Sequence, residues 1–514
     1  MNQFIIILLV IAFGFSCTTQ NQSESKASSD WTQWGGSSNR NMVSSATNIP
    51  STFNPGKWDD DKEEFTAEGR EGVLWVFKLG SQTYGNATVA NGQIYVGTNN
   101  EVPRNKNIKG DRGIVMAIDE KTGKFLWQLS VPKMGSGKVN DWEYLGICSS
   151  PTIDGDQVYV MTNRCEILCF DAKGLANGNQ GFQDEEKYIN NVTGGKTKTK
   201  LSNLDADILW VYDMREELGV FPHNATSSSP LIVGDKVFVN TSNGVDWSHK
   251  NIPAPFSPAV ICLDKLTGKL QGEEFSQISE RIMHGSWSTP TYGKTAKAEY
   301  VYYGAPDGFL YAFYTKPVYN KDEEINVLKE AWRLDCNPAK YRMKNGKKIK
   351  YAKPEGPSEI IATPVFYKNR IYVPIGQDPE HGTGLGNFVC CDADTGKVIW
   401  QSEKINRSIS TPAIANGMVF VADFNGFLHC FDSETGKSLW SHNTESHIWG
   451  SPLYVDGKVM IGNDAGELYV FAASKEKKLL TTIFLESPIL GSPVVANGIL
   501  YITTQTHLFA VKQK

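Results

Sequence analysis

Basic residues are not in excess in this 514-residue chain: 51 Lys and Arg face 56 Asp and Glu, a formal net charge of −5. No basic stripe and no aromatic run interleaved with Lys or Arg stands out. The electrostatic footprint that nucleic acid requires is missing, which excludes nucleic acid as a partner. Beyond residues 4–15, no run is long and apolar enough to cross a bilayer as a helix. Cys-x-x-Cys-His is absent, which excludes a covalently attached c-type haem. His-x-x-x-His, His-Glu-x-x-His, paired carboxylates and a nucleophile elbow are also missing, so hydrolase and lyase chemistry has no motif to rest on.

Turn formers and apolar residues are abundant. Hydrophobic residues make up 40% of the chain, with 47 Gly and 23 Pro, enough for a large core in a turn-rich architecture. One unit recurs along the sequence. It opens on Ser-x-Pro, continues as an alternating strand to Asn/Asp-Gly, and runs through two further strands to an Asp. A Thr-Gly-Lys turn and a strand bearing Trp complete it. The clearest copy spans residues 410–440, with Pro412, Gly417, Gly426, Asp432, Gly436 and Trp440. Four short strands with tight turns are one blade of an all-β propeller. Openings at Asn86, Ser150, Ser229, Thr289, Thr363, Thr411, Ser451 and Ser492 count eight four-stranded antiparallel blades, the fourth with a long insertion. The last copy stops before its Trp strand, and Val73-Leu74-Trp75-Val76 reads as the missing piece. The ring is therefore expected to close by pairing its N- and C-terminal segments, which leaves no long edge.

Residues 1–16 read as a signal peptide, because the apolar run 4–15 matches a leader core. Gly14-Phe15-Ser16-Cys17 resembles a bacterial lipobox, in which the cysteine becomes the lipidated mature N-terminus. Cys17 is thus expected to anchor an exported chain to the periplasmic or outer membrane of a bacterium. Residues 17–30 supply a polar tether and 31–514 a single propeller domain. Protein partners are expected in the cell envelope, and the polar insertions 175–207 and 337–353 are candidate surfaces for them.

The turn residues and Trp127, Trp210, Trp332, Trp400 and Trp440 read as structural, the tryptophans packing between blades. Cys169, Cys262, Cys390 and Cys430 fall two residues before the turn Asp, where other blades carry Ala, and read as buried small residues. Cys148, Cys165 and Cys336 are open to disulfide formation in an oxidising compartment, with connectivity unassigned. His223, His284, His381 and His447 sit in loops at blade entrances, and His284 and His447 are candidate pocket-lining groups. A bound ligand belongs at one mouth of the channel, on the segments preceding each opening strand: 142–148, 221–226, 281–287, 353–361, 405–408 and 446–449. Their Trp, His, Arg and Asn suit a ligand with flat and polar faces.

The Ser-x-Pro openings, Asp-x-x-Thr-Gly-Lys turns and Trp strands resemble the pyrroloquinoline-quinone repeat over nearly all the chain after Trp31. Within that family the chain is similar to the propeller lipoproteins of outer-membrane β-barrel assembly and, more distantly, to quinone-dependent alcohol dehydrogenases. Trp34-Gly35-Gly36 with Asn39-Arg40, and Asn243-Gly244 with Trp247, resemble segments of the dehydrogenases. The resemblance implies a calcium ligand at Asn243, and the loop residues mark Trp247, His284, Trp287 and Trp449 as candidate cofactor contacts for pyrroloquinoline quinone. The Trp-Asp-x-Asp segment that supplies the dehydrogenases' base is replaced by Trp287-Ser288-Thr289, and a Ser cannot act unaided as that base. The expected function is therefore a non-catalytic binding or scaffolding lipoprotein. The alternative is a quinone- and calcium-dependent oxidoreductase with an altered site.

Overall fold

A computed structural model describes residues 29–191, 199–349, 351, 353–379 and 384–512. The leader, Cys17 and most of the tether lie outside these residues, as does His381. Eight antiparallel four-stranded sheets form the blades of a closed propeller, as the repeat predicts. The sixth blade shows the unit: Ala413–Ala415, Met418–Ala422, Phe427–Asp432 and Ser438–Asn443. The eighth is built from Val494–Ala496, Ile499–Thr503 and His507–Val511, completed by Val73–Lys78 from the other end of the chain.

Each fourth strand meets its third across a β-bulge, and six Trp residues fall beside it. Trp75, Trp127, Trp210, Trp332, Trp400 and Trp440 lie directly opposite Ala510, Ala117, Cys169, Ala312, Cys390 and Cys430. A small partner leaves room for the indole to lean onto the next blade. There the Nε1 of Trp75, Trp210, Trp332, Trp400 and Trp440 donates to a turn carbonyl at 3.0–3.2 Å. The turn glycine is required by this approach. A Cβ on Gly268 or Gly436 would sit 2.5 Å from the ring of Trp210 or Trp400. The Cys positions are fully buried, as expected of small packing residues.

Two features depart from plain four-stranded blades. In the third blade, Gly272 occupies the place opposite Cys262 that Trp holds in six other blades and Thr481 in the seventh. Pro317 packs over Gly272, and a hairpin from the fourth blade's insertion, Val318–Asn320 with Ile325–Leu328, adds in parallel to that outer strand. At the centre, Val43–Ser44 pairs in parallel with the innermost strand of the seventh blade. It ends a segment, residues 29–43, that rings the channel and bonds to every blade in turn. Ser29 contacts Asn497, Trp31 pairs with Val89, and Thr32 accepts from Ile153. Ser38, Asn39, Asn41 and Met42 reach the fourth to seventh blades. The third is met by Arg40, which is fully buried. Its guanidinium donates to the carbonyls of Pro230, Pro290 and Trp34 and to Gln33 Oε1, and burial pushes its pKa down to about 9. Ser29 and Asp30, placed in the tether by the sequence, thus already belong to the fold.

The insertion 175–207 is not a detached surface. Gln128 of the first blade exchanges hydrogen bonds with Leu204 and Ala206, and Arg112 donates to Ile189. No disulfide forms among the described cysteines, contrary to the opening left for Cys148, Cys165 and Cys336. These three lie in different places: Cys148 at the channel mouth, Cys165 against Thr241, and Cys336 beyond the fourth blade's last strand. No helix among the described residues is long and apolar enough to cross a membrane.

Candidate functional site

The Ser-x-Pro hydroxyls act as clasps between blades. The backbone N–H at seven blade openings donates to the side chain of the next: Asn86 to Ser150, Ser150 to Ser229, Ser229 to Thr289, Thr363 to Thr411, Thr411 to Ser451, Ser451 to Ser492, and Ser492 back to Asn86. At the remaining junction, Thr363 instead accepts from Trp34 Nε1 at 3.0 Å, so the N-terminal ring completes the circuit. The clasps gather the loops preceding each opening strand around a funnel of about 490 Å³.

Trp142, Trp287, Trp449 and Tyr84 line the funnel with Trp34, and Asn86, Asn224, Gln82 and several serines add polar points. Each indole is held. Trp287 Nε1 donates to Ala225 O at 2.9 Å, Trp449 packs edge-on to Tyr84 and Phe424, and Lys138 covers one face of Trp142. Burial pushes the Cys148 thiol up to about 12, so it lines the wall as a protonated, apolar group. Asp378 is the one charged side chain among the described lining residues.

Five of the six expected loop segments contribute to this lining, and the sixth, 405–408, does so through its neighbour Ile409. Among the single-residue expectations, Trp287 and Trp449 are on the wall. Trp247 is not; it is 55% exposed, with its ring centroid 6.3 Å from that of His249. His447 stacks on Phe424 and faces Asp464 at 3.2 Å, outside the lining. His284 is buried against Trp287, with ring centroids 5.1 Å apart. Asn243 is fully buried away from the funnel. Its Oδ1 accepts from Phe221 N, and its amide donates to Ala254 O and Ser279 Oγ, so the side chain braces three loops. Trp34, Tyr84, Asp378 and Leu490 were not singled out as lining residues. Trp34 and Asp378 lie outside the segments just before the opening strands, while Tyr84 and Leu490 precede the Asn86 and Ser492 openings, whose segments were not among the six expected.

The implied cofactor meets this site unevenly. The indoles suit a flat ring, but pyrroloquinoline quinone is a polycarboxylate, and the described lining offers it a carboxylate and no cation. Calcium prefers a cage of several oxygens, whereas the Asn243 Oδ1 already accepts from Phe221 N and the neighbouring oxygens of Ala254 and Ser279 are met by its amide.

A second group of donors adjoins the wall behind Trp287. His223, His249 and His284 come from three loops, and one ring nitrogen from each lies within 4.8 Å of the other two. Backbone pairing of Pro222 with Asn243 and of Gly244 with Gly285 straps these loops together, and Val245 N donates to His284 O. Gly244 is obligatory here, since a Cβ would lie 2.5 Å from the Cβ of His223. Glu359 is fully buried with its Oε1 3.8 Å from His284 Nδ1, and burial, then the charge of Asp378, pushes its carboxyl well above the usual range. This cluster was missed in the sequence because its members are 26 and 35 residues apart with no motif spacing.

The profile of the family described as outer membrane protein assembly factor BamB matches residues 73–180, 329–470 and 425–513, more than half of the chain. The chain belongs to the BamB family. Its fold is shared with BamB from Moraxella catarrhalis, at 14% identity and a TM-score of 0.55 over 86% of this chain and 99% of that one. A europium-containing methanol dehydrogenase is similar at 12% identity and 0.59, over 94% and 98%. The quinohemoprotein alcohol dehydrogenase ADHIIG from Pseudomonas putida is similar at 12% and 0.55, over 94% and 80%. These likenesses show a fold common to BamB and quinoprotein propellers. No curated protein matches the chain.

Proposed function

We propose that this protein is a non-catalytic binding module of the bacterial envelope, lipid-anchored at Cys17, whose funnel seats a flat, neutral or cationic side chain from an extended segment of a partner protein. The composition of the funnel carries this reading. Four indoles and a phenol offer π faces that attract aromatic rings and cations, and the only described charge on the wall is the Asp378 carboxylate. Membership of the BamB family supports an envelope setting. At the position where the dehydrogenase resemblance requires a carboxylate base, Ser288 spends its hydroxyl on the Ala362 carbonyl at 2.9 Å.

Titration of the mature chain with short Trp- or Arg-containing peptides is expected to quench its tryptophan emission saturably. Trp449→Ala and Asp378→Asn are each expected to weaken that binding about tenfold. A saturable, calcium-dependent rise in Tm with pyrroloquinoline quinone, in the absence of peptide binding, would replace this reading with the oxidoreductase one. For the anchor, Cys17→Ser is expected to move the protein from the membrane to the soluble fraction.

A further inference from the structure

We infer that His223, His249 and His284 form a binding site for a divalent first-row transition-metal ion of the zinc class, with Glu359 as the carboxylate partner of His284. The inference is independent of what the funnel binds.

Geometry is the first support. Zinc–imidazole bonds of about 2.0–2.1 Å place tetrahedral ligands roughly 3.3 Å apart. The three ring nitrogens lie within 4.8 Å of one another, so a small inward rotation of the rings closes a set that the backbone already holds. The approach is built in: the Gly244–Gly285 and Pro222–Asn243 bridges fix two of the loops to the third. His249 follows a turn locked by Asp246, whose carboxylate accepts from Ser248 and Asn251 and is pulled down to about 2 by those bonds.

Tautomer and charge give the second support. His223 Nδ1 lies 2.6 Å from Val245 O and must donate to it, which makes Nε2 the lone-pair nitrogen. A ligating imidazole commonly gives its other N–H to a carbonyl or a carboxylate, and Glu359, 3.8 Å from His284 Nδ1, is placed to take the second of those roles. Among the described residues only the Gly285 backbone N–H approaches the Glu359 carboxyl as a donor, sparse support for a fully buried carboxylate that a neighbouring dication would supplement. Three imidazoles select zinc, copper or nickel over calcium, which takes oxygen ligands. The set differs in residue and element from the calcium ligand that the dehydrogenase resemblance implied at Asn243.

The test uses the mature chain, stripped with a chelator, dialysed, and titrated calorimetrically with Zn²⁺ and spectroscopically with Co²⁺. One equivalent of Zn²⁺ is expected to bind with micromolar or tighter affinity, and Co²⁺ to give a tetrahedral d–d spectrum without a thiolate charge-transfer band. Glu359→Gln is expected to weaken binding about 10- to 100-fold. His249→Ala, on a half-exposed loop whose loss leaves the melting curve of the stripped protein unchanged, is expected to weaken it further. His442→Ala, outside the cluster, should change nothing. Absence of a one-to-one site, a thiolate band, or wild-type affinity in both His249→Ala and His284→Gln would overturn the inference.

Discussion

Trp400 is opposite a cysteine, across a bulge, with its nitrogen on the carbonyl of Ser433 and its ring on Gly436 of the next blade. One side chain therefore joins two sheets. Trp400→Ala is expected to cost about 3–5 kcal/mol, read as a lowered urea midpoint, because the cavity opens at a blade interface that cannot collapse. Cys390→Ala, which keeps the small partner, is expected to cost much less. The alternation of Cys and Ala before the turn Asp was legible in the sequence as a tight packing site. That it faces Trp was not, because cross-strand partners become neighbours only once register is known. Cys148, Cys165 and Cys336 show the converse. Cysteine content alone left bridges open, and the blades hold these thiols apart.

The closing blade pairs His507–Val511 with Val73–Lys78 and places His507 between the rings of Trp58, Phe65 and Phe509. Burial, and then the charge of Lys78 on the paired strand, pushes this imidazole down to about 4. An unfolded histidine titrates near 6.5, so between those values the unfolded chain binds the extra proton and the native one does not. Stability is therefore full above pH 6.5 and falls as pH drops towards 4, by at most about 1.4 kcal/mol per pH unit from this residue. His507→Gln is expected to flatten the Tm–pH curve in that window. At the same scale, the resemblance marked Asn243 of the Asn243-Gly244 pair as a calcium ligand. The Asn braces loops and the Gly admits His223. The three histidines were invisible as a set because loops, unlike strands, carry no period to align them.

Across the whole molecule, the eightfold repeat was legible because each blade restates the same turn chemistry. Even the borrowed strand could be named, since the last copy lacked its Trp. The central ring could not be read. Residues 29–43 follow no repeat, and their partners are scattered over the full length of the chain. Arg40 tests how far that ring matters. Arg40→Met leaves the buried carbonyl of Pro290 without its Arg40 donor and removes one of the two donors to Pro230 O, the other being Thr152 Oγ1, and a loss of about 2–3 kcal/mol is expected in chemical unfolding. A loss under 1 kcal/mol would show that the ring merely lies on the blades.

The borrowed strand also sets a timetable. Val73–Lys78 is among the first strands to be synthesised, and its partner His507–Val511 is the last. A nascent chain halted at any earlier point has a broken circle, with an unpaired edge at each side of the gap open to other chains. The entire polypeptide must be present before the native state exists, so the interval between the appearance of these two strands is the period in which those edges stay open.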